Sequence, residues 1–399
     1  MNRDAGGHHW SDLDGLRAIA ILLVLGRHSL RPFISEDTFQ SVASVGWFDA
    51  TPFLLNGWAG VDLFFVLSGF LIGRQALQRR DSWRRFWFKR AVRILPAYWA
   101  CLALVALAIT TLGEWDGRVK HFLAHIFMLQ DYTGSVFVAA FWSLGAEEKF
   151  YLLTPLLAVV LMWCPRPSWR GAVLMVLWLL PVVARALLVR GESFPLSYEQ
   201  YIPLYRSPFD LTCESLILGF AIAWLTLDGG VRWLGQRWGR EVAFWAGATT
   251  VAWMLTGSLL FDSIDAWTVV STPALIGLGF GLIVLACVTG EGSYSMVLGH
   301  RFCRPLAIGA YTLYLTHMMI FPVALVSGRV FPWLSGGTLT VEWLNFLPWY
   351  LGSSILSAAL LHHLVERPAL AWRDRWLARH EAETTKRVFV QGVPLASAR

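Results

Sequence analysis

In the stretch "DGLRAIAILLVLGRH", Arg17 and His28 stand eleven residues apart among mostly aliphatic neighbours. As a helix that interval is about three turns, so the two side chains share a face and lie roughly 16 Å apart along the axis. An arginine offers a planar, permanently charged fork that suits phosphate. A histidine in partly desolvated surroundings, its second nitrogen oriented by a carboxylate, suits general-base activation of a hydroxyl near neutral pH. Ionisable side chains recur in other apolar settings: Asp62 in "GVDLFFVLSGFLI", Arg90 and Arg93 in "FKRAVRILPAYW", Glu147 and Glu148 in "FWSLGAEEKFYLLTP", His317 in "YTLYLTH" and Glu366 in "HHLVERP". Burying such groups in an apolar phase is costly, so each is a functional candidate.

Each also has a plain structural explanation. A single His28 or His317 can serve as an interhelical hydrogen-bond partner, and Asp62 or Glu147 can pair with a basic neighbour to fix packing. Arg90 and Arg93 belong to a basic stretch that suits a cytoplasmic loop or lipid phosphates. Asp14 suits an N-cap. The adjacent pairs His8–His9 and His362–His363 do not make a metal site, because sequence neighbours on a helix face different directions and no cysteine or carboxylate framework accompanies them.

The surrounding elements must hold these groups in a membrane. Of 399 residues, 56% are hydrophobic and 15% charged, with mean hydropathy +0.52; a soluble domain would be about 25% charged. The expected fold is an all-α, polytopic transmembrane bundle of about ten spans, beginning near residues 13, 53, 92, 139, 171, 207, 241, 268, 305 and 343. The first apolar segment has no small-residue processing site after it and reads as an uncleaved span. Lys and Arg concentrate in the even-numbered connections, above all in "GRQALQRRDSWRRFWFKRAVR", which places those connections and both termini in the cytoplasm. Residues 1–377 then form the transmembrane domain and 378–399 a short basic cytoplasmic tail. The formal charge of +6 follows from basic loops and does not call for nucleic acid. Five cysteines without C-x-x-C spacing read as buried thiols.

This topology sorts the candidates by depth. Arg17, Arg90, Arg93 and Glu366 fall towards the cytoplasm, His28, Asp62, Glu147 and Glu148 in the outer half, and His317 near the midplane. A cationic inner layer suits the phosphates of a cytosolic cofactor, and an outer layer of imidazole and carboxylate suits activation of a hydroxyl. Together they suggest acyl transfer across a membrane.

In order and rough spacing, "LDGLRAIAILLVLGRH", "GVDLFFVLSGFLI", "FKRAVRILPAYW", "FWSLGAEEKFYLLTP", "YTLYLTH" and "VERP" resemble the motifs of membrane-bound acyltransferase family 3, the bacterial integral-membrane O-acyltransferases. The resemblance runs from about residue 11 to 377. It implies an enzyme of the bacterial inner membrane that moves an acyl group, typically acetyl, from cytoplasmic acyl-CoA to a hydroxyl of an extracytoplasmic glycan or lipid-linked glycan, with no metal. Carried over by motif, His28 is the catalytic group, with Glu147 and Asp62 as catalytic carboxylates that orient it. Arg90 and Arg93 meet the CoA phosphates and Arg17 lines the cofactor path. His317 and Glu366 are further site residues. His28 would either deprotonate the acceptor or take the acyl group first. Lys149 departs from the family pattern, where Gln is frequent. Many relatives carry a C-terminal hydrolase-like domain, whereas this chain ends in its basic tail, so a second step would come from another protein. The rival class is a transporter or flippase of a glycan or lipid, since polar residues at bilayer depth also mark substrate pathways.

Overall fold

The computed structural model describes residues 10–34, 41–78, 81–113, 115, 117–134, 137–257 and 264–390. It is almost wholly helical; the strand pair Ser44–Val45 and Phe48–Asp49 forms a small antiparallel hairpin. The long helices are α1 (Ser11–Leu30), α2 (Gly60–Leu77), α3 (Trp83–Leu112), α4 (Trp142–Trp163), α5 (Pro167–Leu188), α6 (Glu214–Leu227), α7 (Arg237–Thr256), α8 (Ala266–Thr289), α9 (Cys303–Thr316), α10 (Phe321–Val330), α11 (Leu339–Leu361) and α12 (Arg367–Val390). The His8–His9 pair lies outside the described residues.

Each of the ten expected apolar windows contains a long helix, but their boundaries differ where charge or backbone geometry intervenes. Helix α3 begins at Trp83, nine residues earlier than hydropathy suggests, capped by the Ser82 hydroxyl, which accepts from the Arg85 amide. Arg90 and Arg93 therefore lie inside the helix and share one face. The sixth window opens not as a span but as short turns, Tyr198–Tyr201, Ile202–Arg206 and Phe209–Leu211, before α6 begins. The ninth window is broken: α9 and α10 meet at 92°. In the tenth, α11 passes through a wide turn at His362–Glu366 into α12.

Among the described residues, five helices are long and apolar enough to cross a membrane, or six if the bent α9–α10 pair makes one span. This is a multi-pass membrane protein. Helices α1 and α4 fall short because of the groups that make them interesting: Asp12, Asp14, Arg17 and Arg27 in one, and Glu147, Glu148 and Lys149 in the other. Both are largely buried among other helices, where polar side chains can find partners.

The helices approach closely through glycine. A Cβ on Gly219 of α6 would stand 2.1 Å from the Val66 carbonyl oxygen of α2, and one on Gly69 would stand 2.1 Å from the carbonyl of Leu216. Small residues at these positions let the two backbones touch. Gly219→Val is expected to destabilise the bundle by about 1–3 kcal/mol or more, read as a lower melting temperature in detergent. Gly352→Val, whose added carbon meets nothing within 4 Å, should leave the melting temperature unchanged.

Candidate active site

Four helices contribute polar stripes at helical spacing to one cavity of about 860 Å³. Helix α4 supplies Ser143, Glu147 and Tyr151, each one turn from the next. Helix α2 supplies Ser68 and Gln75, α3 supplies Arg90 and Arg93, and α9 supplies Tyr311 and Tyr314. Asp14 and Arg17 enter from the start of α1, and Arg373 and Asp374 from α12. Its lining holds seven Lys or Arg side chains against three carboxylates. The ends of the helices that bear the basic connections meet here, so the cavity opens where the cation density is greatest.

Arg90 donates to Gln75 (2.6 Å), and its Nε is buried with no partner among the described residues. Arg93 is ion-paired with Glu366 at 2.7 Å, and the other oxygen of Glu366 lies 2.7 Å from His362 Nδ1. Part of the Arg93 charge is therefore already answered. Deeper in, the Tyr151 hydroxyl donates to Glu147 and stands 2.6 Å from the Ser68 hydroxyl. Sequence reasoning missed Gln75, Ser68, Tyr151, Tyr311, Tyr314 and Arg373. Their signal was the repeat of three or four residues shared with the candidates, as in Ser143–Glu147–Tyr151 and Tyr311–Tyr314–His317.

The cavity closes at Ser143 and Tyr314. The Tyr314 hydroxyl donates to the Ala140 carbonyl (2.6 Å) and stands 2.5 Å from the Ser143 hydroxyl. Behind Tyr314, 5.7 Å away between ring centroids, lies His317. Its Nε2 is 3.0 Å from His28 Nδ1. His317 is the C-cap of α9, and its Nδ1 lies 2.9 Å from the Tyr314 carbonyl, an acceptor that the end of the helix leaves open, and 3.1 Å from that of Leu313, which also accepts from the His317 amide. His317 is fully buried and His28 half-buried.

The carboxylates expected to orient His28 bond elsewhere. Asp62 is buried against Arg206 (2.6 Å) and accepts from Ser215 (3.2 Å), while Arg206 also donates to Thr212 and lies over the rings of Trp58 and Trp142. Glu147 is held by Tyr151 in the cavity wall. The group that meets His28 is another imidazole. Lys149 turns away from Glu147 and binds Asp131 (2.6 Å) and the Met128 carbonyl (2.7 Å), so its departure from the family pattern is neutralised locally. His362 is occupied by Glu366.

Removing Asp62 would leave Arg206 buried and unpaired, which typically costs about 3–5 kcal/mol. Asp62→Ala should therefore lower the melting temperature strongly, while the molecules that remain folded keep most of their turnover. A large loss of turnover at unchanged stability would return Asp62 to the chemistry.

The model of a family described as an acyltransferase domain matches residues 10–363. The chain is 26% identical over 336 residues to the peptidoglycan O-acetyltransferase OatA of Listeria monocytogenes, covering 77% of this chain and 49% of that protein. It is 27% identical over 233 residues, 53% of this chain and 34% of the relative, to a Staphylococcus aureus protein provisionally named an O-acetyltransferase. A Bacillus subtilis protein provisionally named a peptidoglycan O-acetyltransferase is 30% identical over 204 residues, 46% of this chain and 29% of the relative. The chain thus spans about half the length or less of these relatives. No solved structure matches. With the ordered motifs and the matched span together, this chain belongs to membrane-bound acyltransferase family 3.

Proposed function

We propose that this chain is an O-acyltransferase of the bacterial inner membrane that moves an acyl group, acetyl in the first instance, from cytoplasmic acyl-CoA to a hydroxyl of an extracytoplasmic glycan or glycolipid. The observation that carries this reading is the cation-lined cavity, which runs from the basic end of the bundle to Tyr314, one ring short of the His28–His317 pair. A carrier with several phosphates matches the basic end. A thioester arm matches the part of the cavity lined by Phe64, Phe65 and Ser143. The half-buried imidazole beyond Tyr314 matches activation of a hydroxyl arriving from the other face. Ten spans with both termini in the cytoplasm are the topology that puts donor and acceptor on these opposite faces.

In this mechanism Arg90 and Arg93 bind the CoA phosphates with Arg17 further along the path, and Glu366 moderates Arg93 through their ion pair. His28 takes the acceptor proton, or accepts the acyl group before passing it on. Glu147 and Tyr151 hold the polar part of the arm in register.

Charge-assisted hydrogen bonds contribute roughly 1.5–3 kcal/mol each, so Arg90→Ala should weaken acetyl-CoA binding about tenfold to a hundredfold. Arg93→Ala should cost less, because Glu366 already holds that guanidinium. Calorimetry in detergent reads both, and equal binding by parent and Arg90→Ala would remove the phosphate assignment.

His28→Gln should bind acetyl-CoA as the parent does while acceptor modification falls by at least about a hundredfold, the scale of positioned proton transfer. Retention of more than about a tenth of parental turnover, at matched folding, would exclude His28 as base or nucleophile. Reporter fusions between residues 81 and 88 should register as cytoplasmic, and fusions near residue 47 as extracytoplasmic. The reverse pattern would overturn donor entry from the cytoplasm.

A further inference from the structure

We propose that His317 is a positioning residue that holds the His28 imidazole in its Nδ1–H tautomer, leaving the Nε2 lone pair bare for the reaction. This rests on the reading of His28 as the reacting group. Hydrogens along the line of contacts can be assigned one after another. His317 Nδ1 faces two carbonyl oxygens, those of Tyr314 at 2.9 Å and Leu313 at 3.1 Å. Carbonyls only accept, so that nitrogen carries hydrogen. In a neutral imidazole the other nitrogen is then an acceptor. His317 Nε2 stands 3.0 Å from His28 Nδ1, which must therefore donate, and the Val24 carbonyl one turn back on α1 is a second acceptor facing the ring. His28 Nε2 is left without hydrogen.

The surroundings favour a neutral His317. It is fully buried, its remaining ring contact is Tyr314, and the charges nearest the pair on α1 and the turn after it are Arg27 and Arg31, both cationic. The arrangement does the work of the orienting acid in a hydrolytic triad, with a helix-end carbonyl and a neutral imidazole in place of a carboxylate.

Both chemical routes need this tautomer. In direct transfer, His28 Nε2 takes the proton of the acceptor hydroxyl as its oxygen bonds to the thioester carbon. The carbon–sulfur bond then breaks with its electron pair on sulfur, and the proton passes from Nε2 to the thiolate to give CoA. In the covalent route, the same Nε2 lone pair attacks the thioester carbon and the carbon–sulfur bond breaks with its electron pair on sulfur. The acceptor oxygen then bonds to the acyl carbon, the carbon–Nε2 bond breaks with its pair returning to nitrogen, and the hydroxyl proton passes to the CoA thiolate. The Nε2–H tautomer could do neither.

The test uses the full chain purified in detergent with nitrogen-15 histidine. Nitrogen spectra identify His28 as the signal lost in His28→Gln. The expected parental His28 signal is the Nδ1–H form, changing to Nε2–H in His317→Phe. Turnover is read as CoA thiol released from acetyl-CoA, with envelope glycan of the producing cell as acceptor. His317→Phe should lower kcat by about a hundredfold, with KM for acetyl-CoA unchanged. His317→Gln, whose side-chain carbonyl can still accept from His28 Nδ1, should keep the Nδ1–H form and at least about a tenth of turnover. An Nε2–H signal for His28 in the parent, or in His317→Gln should His317→Phe fail to fold, would overturn the proposal, as would an unchanged His28 signal in folded His317→Phe. If His28→Gln keeps its turnover while the parental tautomer is as assigned, the reading of His28 as the reacting group falls and the positioning contact stands.

Discussion

A charge buried in an apolar bundle must find a partner or it raises the free energy of the fold by several kcal/mol. Much of this molecule is arranged around that constraint. Asp62 is answered by Arg206, Glu214 by Arg185 and Asp131 by Lys149, in contacts of 2.6–2.7 Å that join segments far apart in the chain. These pairs fix the half of the bundle remote from the basic loops. Towards the basic end the balance changes: cations outnumber carboxylates in the cavity wall, and the buried Nε of Arg90 has no partner among the described residues. Scaffold charges neutralise one another; at the cavity Arg85 and Lys89 pair with Asp81 and Arg93 with Glu366, and the Lys and Arg side chains still outnumber the carboxylates.

The same accounting applies to polar backbone. Where α9 ends, the Tyr314 carbonyl needs a donor, and His317 supplies one from its side chain. That bond orients the ring, and the 92° bend beyond it turns the chain aside. A local solution to a helix-end problem thus presents a fixed imidazole to α1. The Tyr314 side chain, from the same turn, stands between this pair and the cavity, tied to Ser143 and Ala140. Helix ending, cavity closure and placement of the imidazole are properties of one short segment.

Much of this was legible in the sequence. Apolar windows located the long helices, because length and hydropathy are local properties. Arg17, Arg90 and Arg93 do line one cavity, as polar residues sharing helical faces should, and Glu147, expected in the outer layer with His28, lines it with them. What hydropathy could not register was the cationic opening of α3, since a window average treats Lys and Arg as loop although both are good helix formers. Nor could it see the break after Thr316, where a side chain turns back on its own carbonyls. Pairings across the fold were equally hidden: Asp62 and Arg206 are 144 residues apart, and a single sequence carries no sign that they meet. This is why Asp62 read as a candidate for orienting His28, and why the partnership of His28 with His317 did not emerge.

The central claim, that the bundle passes an acyl group to an acceptor on the far face, is tested most directly by mass spectrometry of base-labile acyl esters on the envelope glycans of a deletion strain and its parent. The account predicts that a defined ester is missing in the deletion strain, with the glycan itself still exported and of normal length, and that it returns when the gene is restored. Unchanged ester content together with loss or retention of the glycan on the cytoplasmic side would contradict it, and would identify the polar path through the bundle as a route for transport.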